Sequence, residues 1–413
     1  MTVDDTREQR PVRATRTPRG QIWLLAVAYG LTIANLYYCQ PLLPQMTRSF
    51  AGSSAVGSLA TADQFGYALA LLLVVPLGDI VRRRPLVCLL LLLEAAALAM
   101  TATAPTVGVL LAAGSVIGLA GASVVNVLVP YAATISADHE RGRSVATMLS
   151  GGLAGVLLSR TIAGLTAAVL GWRAVFEAAA GLMLVLAGAL AHTMASPPPE
   201  ITIAYSAQLK ATIDLAKREP LLRRRSLIGA CAFAAFGVFW ATVAFLLAGP
   251  PYRYGEAKIG LFALFGTAGV LAAKTAGRAA DRGWQRPLTG VLLALGVTSF
   301  AAVWAGGRSL VFLLAGLLAM EVAIQGTHLL NMSVVYGLVQ GGRSRIATVY
   351  MTAYTLGGVI GTAAGTAAWQ LGGWNAVSAV GAAFMTTGLI AWARDTADRN
   401  LADNGVRHHR PGG

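Results

Sequence analysis

Residues 76–86 read PLGDIVRRRPL, and residues 278–288 read RAADRGWQRPL. At an offset of 202, Asp79 falls on Asp281, Arg84 on Arg286 and Pro85 on Pro287. Both stretches are short polar knots between long apolar runs; the first separates GYALALLLVV from VCLLLLLEAAALA. The same offset carries Trp172 onto Trp374, and an offset of 201 lays RSVAT (143–147) on SRIAT (344–348). The chain is therefore read as two copies of one unit, repeated head to tail.

The runs between the knots set the class. Of 413 residues, 56% are hydrophobic and 12% charged, with a mean hydropathy of +0.63. A soluble domain carries roughly a quarter charged residues, so these runs belong in lipid. We read spans at 21–45, 55–78, 85–104, 106–134, 144–170, 173–194, 225–249, 257–279, 287–306, 309–338, 344–370 and 373–393. Each is long enough, at about 1.5 Å per residue, to cross about 30 Å of hydrocarbon. The fold class is thus an all-α membrane protein of twelve transmembrane helices in two pseudo-symmetric six-helix bundles. The units are an N-terminal tail (1–20), a first bundle (21–194), a central segment (195–224), a second bundle (225–393) and a C-terminal tail (394–413). The first run is too long for a signal peptide, so the N-terminus is expected to be retained.

The net charge of +14 does not point to nucleic acid, because the cations sit in short gaps and form no basic surface interleaved with aromatics. It reports orientation. With residues 1–20 inside, 25 Lys and Arg fall on that side and five on the other, namely Arg48, Arg173, Arg253, Lys258 and Arg308. The positive-inside rule places both termini in the cytoplasm, and the high Ala, Gly and Arg content suggests a bacterial source, so a bacterial inner membrane is expected. The central segment, SPPP followed by AQLKATIDLAKREPLLRRRS, reads as a Pro-rich link and a basic amphipathic stretch on the inner leaflet.

Positive charge alone does not explain the recurrent Asp. A carboxylate at the inner end of spans 2 and 8 can accept hydrogen bonds from a neighbouring helix N-terminus or pair with Arg. It could act as a latch between two states, or as a static brace. With the knot, the repeat and the span count together, the sequence resembles the major facilitator superfamily of secondary transporters over about residues 20–395. PLGDIVRRRPL looks like that family's G-x-x-x-D-R-x-G-R-[KR] loop, with Gly78, Asp79, Arg82 and Arg84 as counterparts and Ile80 where Arg is usual. The second copy supplies Gly277, Asp281, Arg282 and Arg286. NLYYCQPLLPQM (35–46) and LLSRTIAGLTAAVLGWRAVF (157–176) resemble the branch called arabinose-efflux-permease-like or drug-efflux-like. Two stretches differ from drug–proton antiporters: GSVIG (114–118) has no Arg, and GGLAGVLLSRTIAG (151–164) has no Pro. Coupling residues are therefore not carried over.

Small residues recur every fourth position in four spans: Ala62, Gly66 and Ala70; Gly151, Gly155, Ser159 and Ala163; Gly269, Ala273 and Gly277; Gly357, Gly361 and Gly365. Such rows let backbones approach in lipid, and the resemblance implies that these spans meet between the halves, where rocking needs smooth surfaces.

Ionisable groups at depth cost about 3 kcal/mol or more and are functional candidates. Asp63 and Glu321 are the candidates for proton coupling; Asp63 and Arg160 either pair or face the cavity separately. Glu94 reads as a peripheral brace or a protonated acid, and Lys274 as a snorkelling cation. The resemblance implies a cavity lined by spans 1, 4, 7 and 10. Its substrate-binding candidates are Asn35, Tyr38, Gln40, Asn126, Trp240, Gln325, His328 and Asn331, with Arg160 from span 5. Interhelical hydrogen bonding is the plain alternative for each. Asn126 and His328, separated by 202, are equivalent positions of the two copies.

No G-x-S-x-G, H-E-x-x-H or paired Cys motif suggests an enzyme. AAKT at 272–275 lacks the Gly of a phosphate-binding loop, so ATP is not the expected fuel, and no cofactor or metal is expected. A non-transporting sensor would be suggested by large soluble appendages. The expectation is a monomeric carrier of a small molecule, most simply a proton-coupled exporter, with an importer or uniporter as the alternative.

Overall fold

The computed structural model describes residues 19–195, 205–266, 284–338 and 343–408, and every regular element among them is helical. The first predicted span is two helices, α1 (Arg19–Asn35) and α2 (Cys39–Ser49), bent by 40° across Leu36–Tyr38. Pro41 explains the break. It has no N–H to give the carbonyl of residue 37, but it is tolerated in the first turn of a new helix. The second span is also irregular. Ser54–Ser58 is a 3₁₀ turn, α3 (Leu59–Leu69) is α-helical, Ala70–Val74 widens to a π turn, and Val75–Asp79 tightens again to 3₁₀ around Pro76.

The remaining helices of the first half are regular: α4 (Arg83–Ala102), α5 (Val107–Ile135), α6 (Arg141–Leu170) and α7 (Trp172–Thr193). Thr106 caps α5 by accepting from the Val109 N–H at 3.4 Å. One residue, Gly171 at φ +82°, joins α6 to α7, a conformation that disfavours a side chain.

In the centre, α8 (Tyr205–Arg218) is followed almost directly by α9 (Pro220–Ala248). The expected link therefore shortens: Pro220 starts the helix, and Arg223–Arg225 belong to α9. Helix α10 is described over 256–266, and the rest of the predicted 257–279 span lies outside the described residues, with Gly269, Ala273 and Lys274. Then come α11 (Gln285–Ala305), α12 (Leu310–Tyr336) and α13 (Arg343–His408). α13 breaks at Gly372 and Gly373, where Gly373 has φ +58°, the place where two spans were expected to meet. It continues as helix beyond 393. Among the described residues nine helices are long and apolar enough to cross a membrane, or ten if α1 and α2 form one span. The twelve-span count itself rests on the sequence.

Burial follows the lipid rule. Val169, Val311 and Leu371 are 83%, 74% and 89% exposed, while the helices are apolar inside as well, the pattern of a membrane bundle rather than of an amphipathic soluble one. One apolar cluster draws on residues 22–194, with Ala241 added, and a second on 228–385. In the first, α4 packs on α5 and α7, α1 on α6, and α3 on α5; in the second, α9 packs on α13 and α11 on α12. The seam between them is made by α2 against α9 and α3 against α13.

The small-residue rows need correction. Gly66 faces the backbone of Ser115 and Leu119 on α5, Gly151 and Gly155 face Ala26 and Gly30 on α1, and Gly357 and Gly361 face Ala230 and Ala234 on α9. They seat helices within a half, not across the seam. A small stripe permits close approach but does not say whose backbone arrives.

Candidate functional site at the seam

The break in the first span sets four consecutive side chains to different tasks. Tyr37 lies under the guanidinium of Arg160, 4.7 Å from the ring centre. Tyr38 is buried in the first cluster, near Glu94. Cys39 donates its thiol to Asp63 Oδ2 at 3.2 Å, and Gln40 accepts from Arg160 Nε at 2.7 Å. Arg160 also covers the Trp240 ring, 4.0 Å from its centre, and Trp240 Nε1 donates to Glu321 Oε1 at 3.0 Å. Side chains of both halves thus form one run, Gln40–Arg160–Trp240–Glu321. Asp63 and Arg160 do not pair; each takes a different neighbour on α2. Gln325, one turn along α12, comes near the Glu321 carboxylate.

This run is buried but incompletely satisfied. Gln40, Arg160, Trp240 and Glu321 are each at most 5% exposed. Among the described residues, Arg160 Nη2, Glu321 Oε2 and Asp63 Oδ1 have no hydrogen-bond partner. A desolvated cation–π contact contributes about 2 kcal/mol, whereas an unpaired buried charge costs several. Beside Arg160 and Trp240 is a small pocket of about 10 Å³, bounded by Gln40, Val243, Ile259 and Phe262, room for about one water.

Other candidates fall elsewhere. Asn35 donates to Glu94 Oε1 at 2.7 Å, and Glu94 is fully buried against Gly121. Glu94 is therefore internal, not peripheral, and Asn35 is its partner rather than a cavity wall. Asn126 bonds back to the Ala122 carbonyl at 2.8 Å, with Tyr67 beside it. His328 meets the Tyr350 hydroxyl at 3.2 Å and lies 4.4 Å from Tyr354, which stacks on Phe233 at 4.2 Å. Asn331 is fully buried and accepts from Arg225 at 3.3 Å, and Arg225 meets Asp395 at 3.6 Å. Arg225 and Asp395, 1% and 3% exposed, form a buried ionic knot. The sequence reading assigned these two to a span end and a tail; a signal for it lay in opposite charges on the ends of spans 7 and 12.

The latch residues are partly described. Gly78 lies against Val127, and its carbonyl accepts from Arg83, which also donates to Thr134. Of the expected gate arginines, Arg82 is exposed and Arg84 half-buried. The Arg286 carbonyl accepts from Trp392 at 3.0 Å. The Asp79 side chain, Gly277, Asp281 and Arg282 lie outside the described residues.

One end of the seam is shut. Arg48 bridges to Glu256 at 2.6 Å, and Thr161 donates to the Gly260 carbonyl at 2.9 Å. Thr366 donates to the Gly57 carbonyl at 3.1 Å, and Gln370 to that of Ser54 at 3.3 Å. Gly164 and Gly260 approach so closely that a Cβ on Gly164 would stand 2.9 Å from the Gly260 Cα.

A doubled helical bundle with buried charge at its seam has the form of a carrier, and the sequence comparison decides which. The family model of the Major Facilitator Superfamily matches residues 25–362. The chain belongs to the Major Facilitator Superfamily. It is 39% identical over 374 residues to the "Uncharacterized transporter YgaY" of Escherichia coli O157:H7, covering 90% of this chain and 95% of that one. It is 34% identical over 372 residues to the "Probable transporter SCO4007" of Streptomyces coelicolor, covering 90% and 86%. Among solved structures, a bacterial homologue of the human lysosomal transporter Spinster, inward-facing and occupied, superposes with a TM-score of 0.74 at 15% identity, covering 92% and 96%. The nucleoside transporter NupG gives 0.76 at 11% identity, covering 91% and 99%. These two show the fold alone. This major facilitator protein is a multi-pass membrane transporter, not an enzyme.

Proposed function

We propose that the protein is a proton-coupled secondary transporter that exports a small organic molecule across a bacterial inner membrane, working as a monomer with both termini cytoplasmic. Ion gradients drive it, with neither ATP nor a cofactor. The observation that carries the reading is two buried carboxylates, Glu321 at the seam and Asp63 inside the first half between Cys39 and Gly114, each with one oxygen that finds no hydrogen-bond partner among the described residues. A carboxylate at that depth is held at a cost and can exchange a proton when rocking of the halves opens it to water.

Gln40, Arg160, Trp240 and Gln325 hold the substrate, with Tyr37 as a wall. Asn35, Tyr38, Asn126, His328 and Asn331 support this site from within each half. Gly78, Asp79, Arg82 and Arg84, with Gly277, Asp281, Arg282 and Arg286, form the inner gate. The shut end carries Arg48, on the side with few cations, and the positive-inside rule makes it the outer end. The direction of transport follows the resemblance to efflux carriers.

The test is a panel of labelled metabolites and drugs offered to everted vesicles with and without an imposed pH gradient. Gradient-dependent accumulation is expected, with the dependence lost in the double variant Asp63→Asn, Glu321→Gln. Accumulation that ignores the gradient refutes proton coupling.

A further inference from the structure

The seam holds two opposite charges that do not touch. Arg160 belongs to the first half and Glu321 to the second, close enough to attract one another. Between them stands Trp240. Its electron-rich face lies on the guanidinium, and its N–H points to the carboxylate. The indole thus offers a weak anion-like surface at one end and a donor at the other. It meets each need in part: among the described residues Arg160 Nη2 and Glu321 Oε2 have no hydrogen-bond partner, although both residues are at least nine-tenths buried. A buried charge left short of partners is costly, and the cost is recovered by any ligand that completes both.

Such a ligand must carry a carboxylate or similar anion for the fork of Arg160, which binds planar anions through paired N–H groups. It must carry an ammonium or similar cation for Glu321. The walls beside them, Val243, Ile259 and Phe262, are apolar, so the remainder of the ligand, carried to one side of its two charges, is small and hydrophobic.

We propose that this site takes a small zwitterion, an apolar α-amino acid or a close analogue, with its carboxylate on Arg160 and its ammonium on Glu321, displacing the side chain of Trp240. The proposal rests on the seam being the transport site and assigns that site its substrate class. Trp240 fills the space between the two charges, with a pocket of about 10 Å³ beside it. Because the two charges lie on opposite halves, the zwitterion also ties the halves together. A monoanion or a monocation completes only one side and leaves the other charge buried and unpaired.

The experiment uses the full chain purified in detergent, with thermal stabilisation by the common L-amino acids as the first readout. The best binder is then compared with its decarboxylated amine and its deaminated acid. For leucine these are 3-methylbutylamine and 4-methylpentanoate. Stabilisation by the zwitterion is expected, with each half-charged analogue at least tenfold weaker in apparent affinity. Arg160→Gln and Glu321→Gln should each abolish the difference, whereas Arg160→Lys, which keeps the charge, should retain part of it. Monodispersity of each variant on size-exclusion chromatography confirms folding. Equal binding of amine and amino acid, unaltered binding in either neutral variant, or no stabilisation by any amino acid overturns the proposal. Counterflow in proteoliposomes separates the two readings. Binding without counterflow removes the transport site and leaves the zwitterion site, whereas counterflow of a different compound class does the reverse.

Discussion

Asn35 and Glu94 show how one residue's neighbourhood changes its meaning. Both are buried in the first half, and their hydrogen bond is 2.7 Å. Replacing one buried partner strands the other, at about 1–3 kcal/mol. Glu94→Ala should therefore lower the thermal midpoint in detergent, while the double change Asn35→Leu, Glu94→Leu should recover much of the loss, since no polar group is then left alone. If the double variant is no more stable than the single one, the pair is not a structural brace. The Arg160 contacts make the opposite case. Gln40, Tyr37 and Trp240 hold the guanidinium from three sides; an atom is left over there as it is on Asn35 and Glu94, but Arg160 differs in reaching across the seam to Trp240 of the other half.

At the scale of elements, the breaks matter more than the helices. Tyr37 and Gln40, three residues apart, would lie about 60° apart on a continuous helix and so share one face; they flank the interruption at Leu36–Tyr38 and both reach Arg160, while Cys39 beside them reaches Asp63. Irregular backbone at membrane depth is tolerated where it is covered by protein or lines a cavity, and this break meets that condition. The contact of α6 with α10 works by a different device, two glycines face to face. Gly164→Leu should wedge that contact open, because the new side chain would meet the Glu256 carbonyl and the Gly260 backbone. In a cysteine-free background, Val243→Cys should then react with a membrane-impermeant maleimide added outside, at least several-fold faster than with Gly164 present. Unchanged labelling would show that this contact does not close the outer end.

For the whole molecule, alternating access requires that the Arg48 end open at some point in the cycle. Arg48→Cys with Glu256→Cys, joined by a reducible bifunctional thiol cross-linker long enough to span the lost Arg and Glu side chains, replaces a 2.6 Å bridge between the halves with a covalent tie. In proteoliposomes, cross-linking should stop transport and a reductant should restore it. A surface bridge of this kind contributes only about 0–1 kcal/mol, so neutralising it without a tie should leave transport nearly intact. Transport that persists under full cross-linking would mean that the halves do not part at this end.

The sequence by itself determined the membrane class, the duplication and the family, because hydrophobic length, charge asymmetry and a repeated polar knot are properties of the chain in order. It also marked Asp63, Arg160 and Glu321, since a charge in an apolar run is conspicuous wherever it points. Tertiary structure alone decided their partners. Asp63 took Cys39 instead of Arg160, Glu94 turned inward to Asn35, and Arg225 met Asp395 across 170 positions of chain. Only packing fixes such pairings, because in lipid every face of a helix can be apolar, and periodicity no longer tells inside from outside.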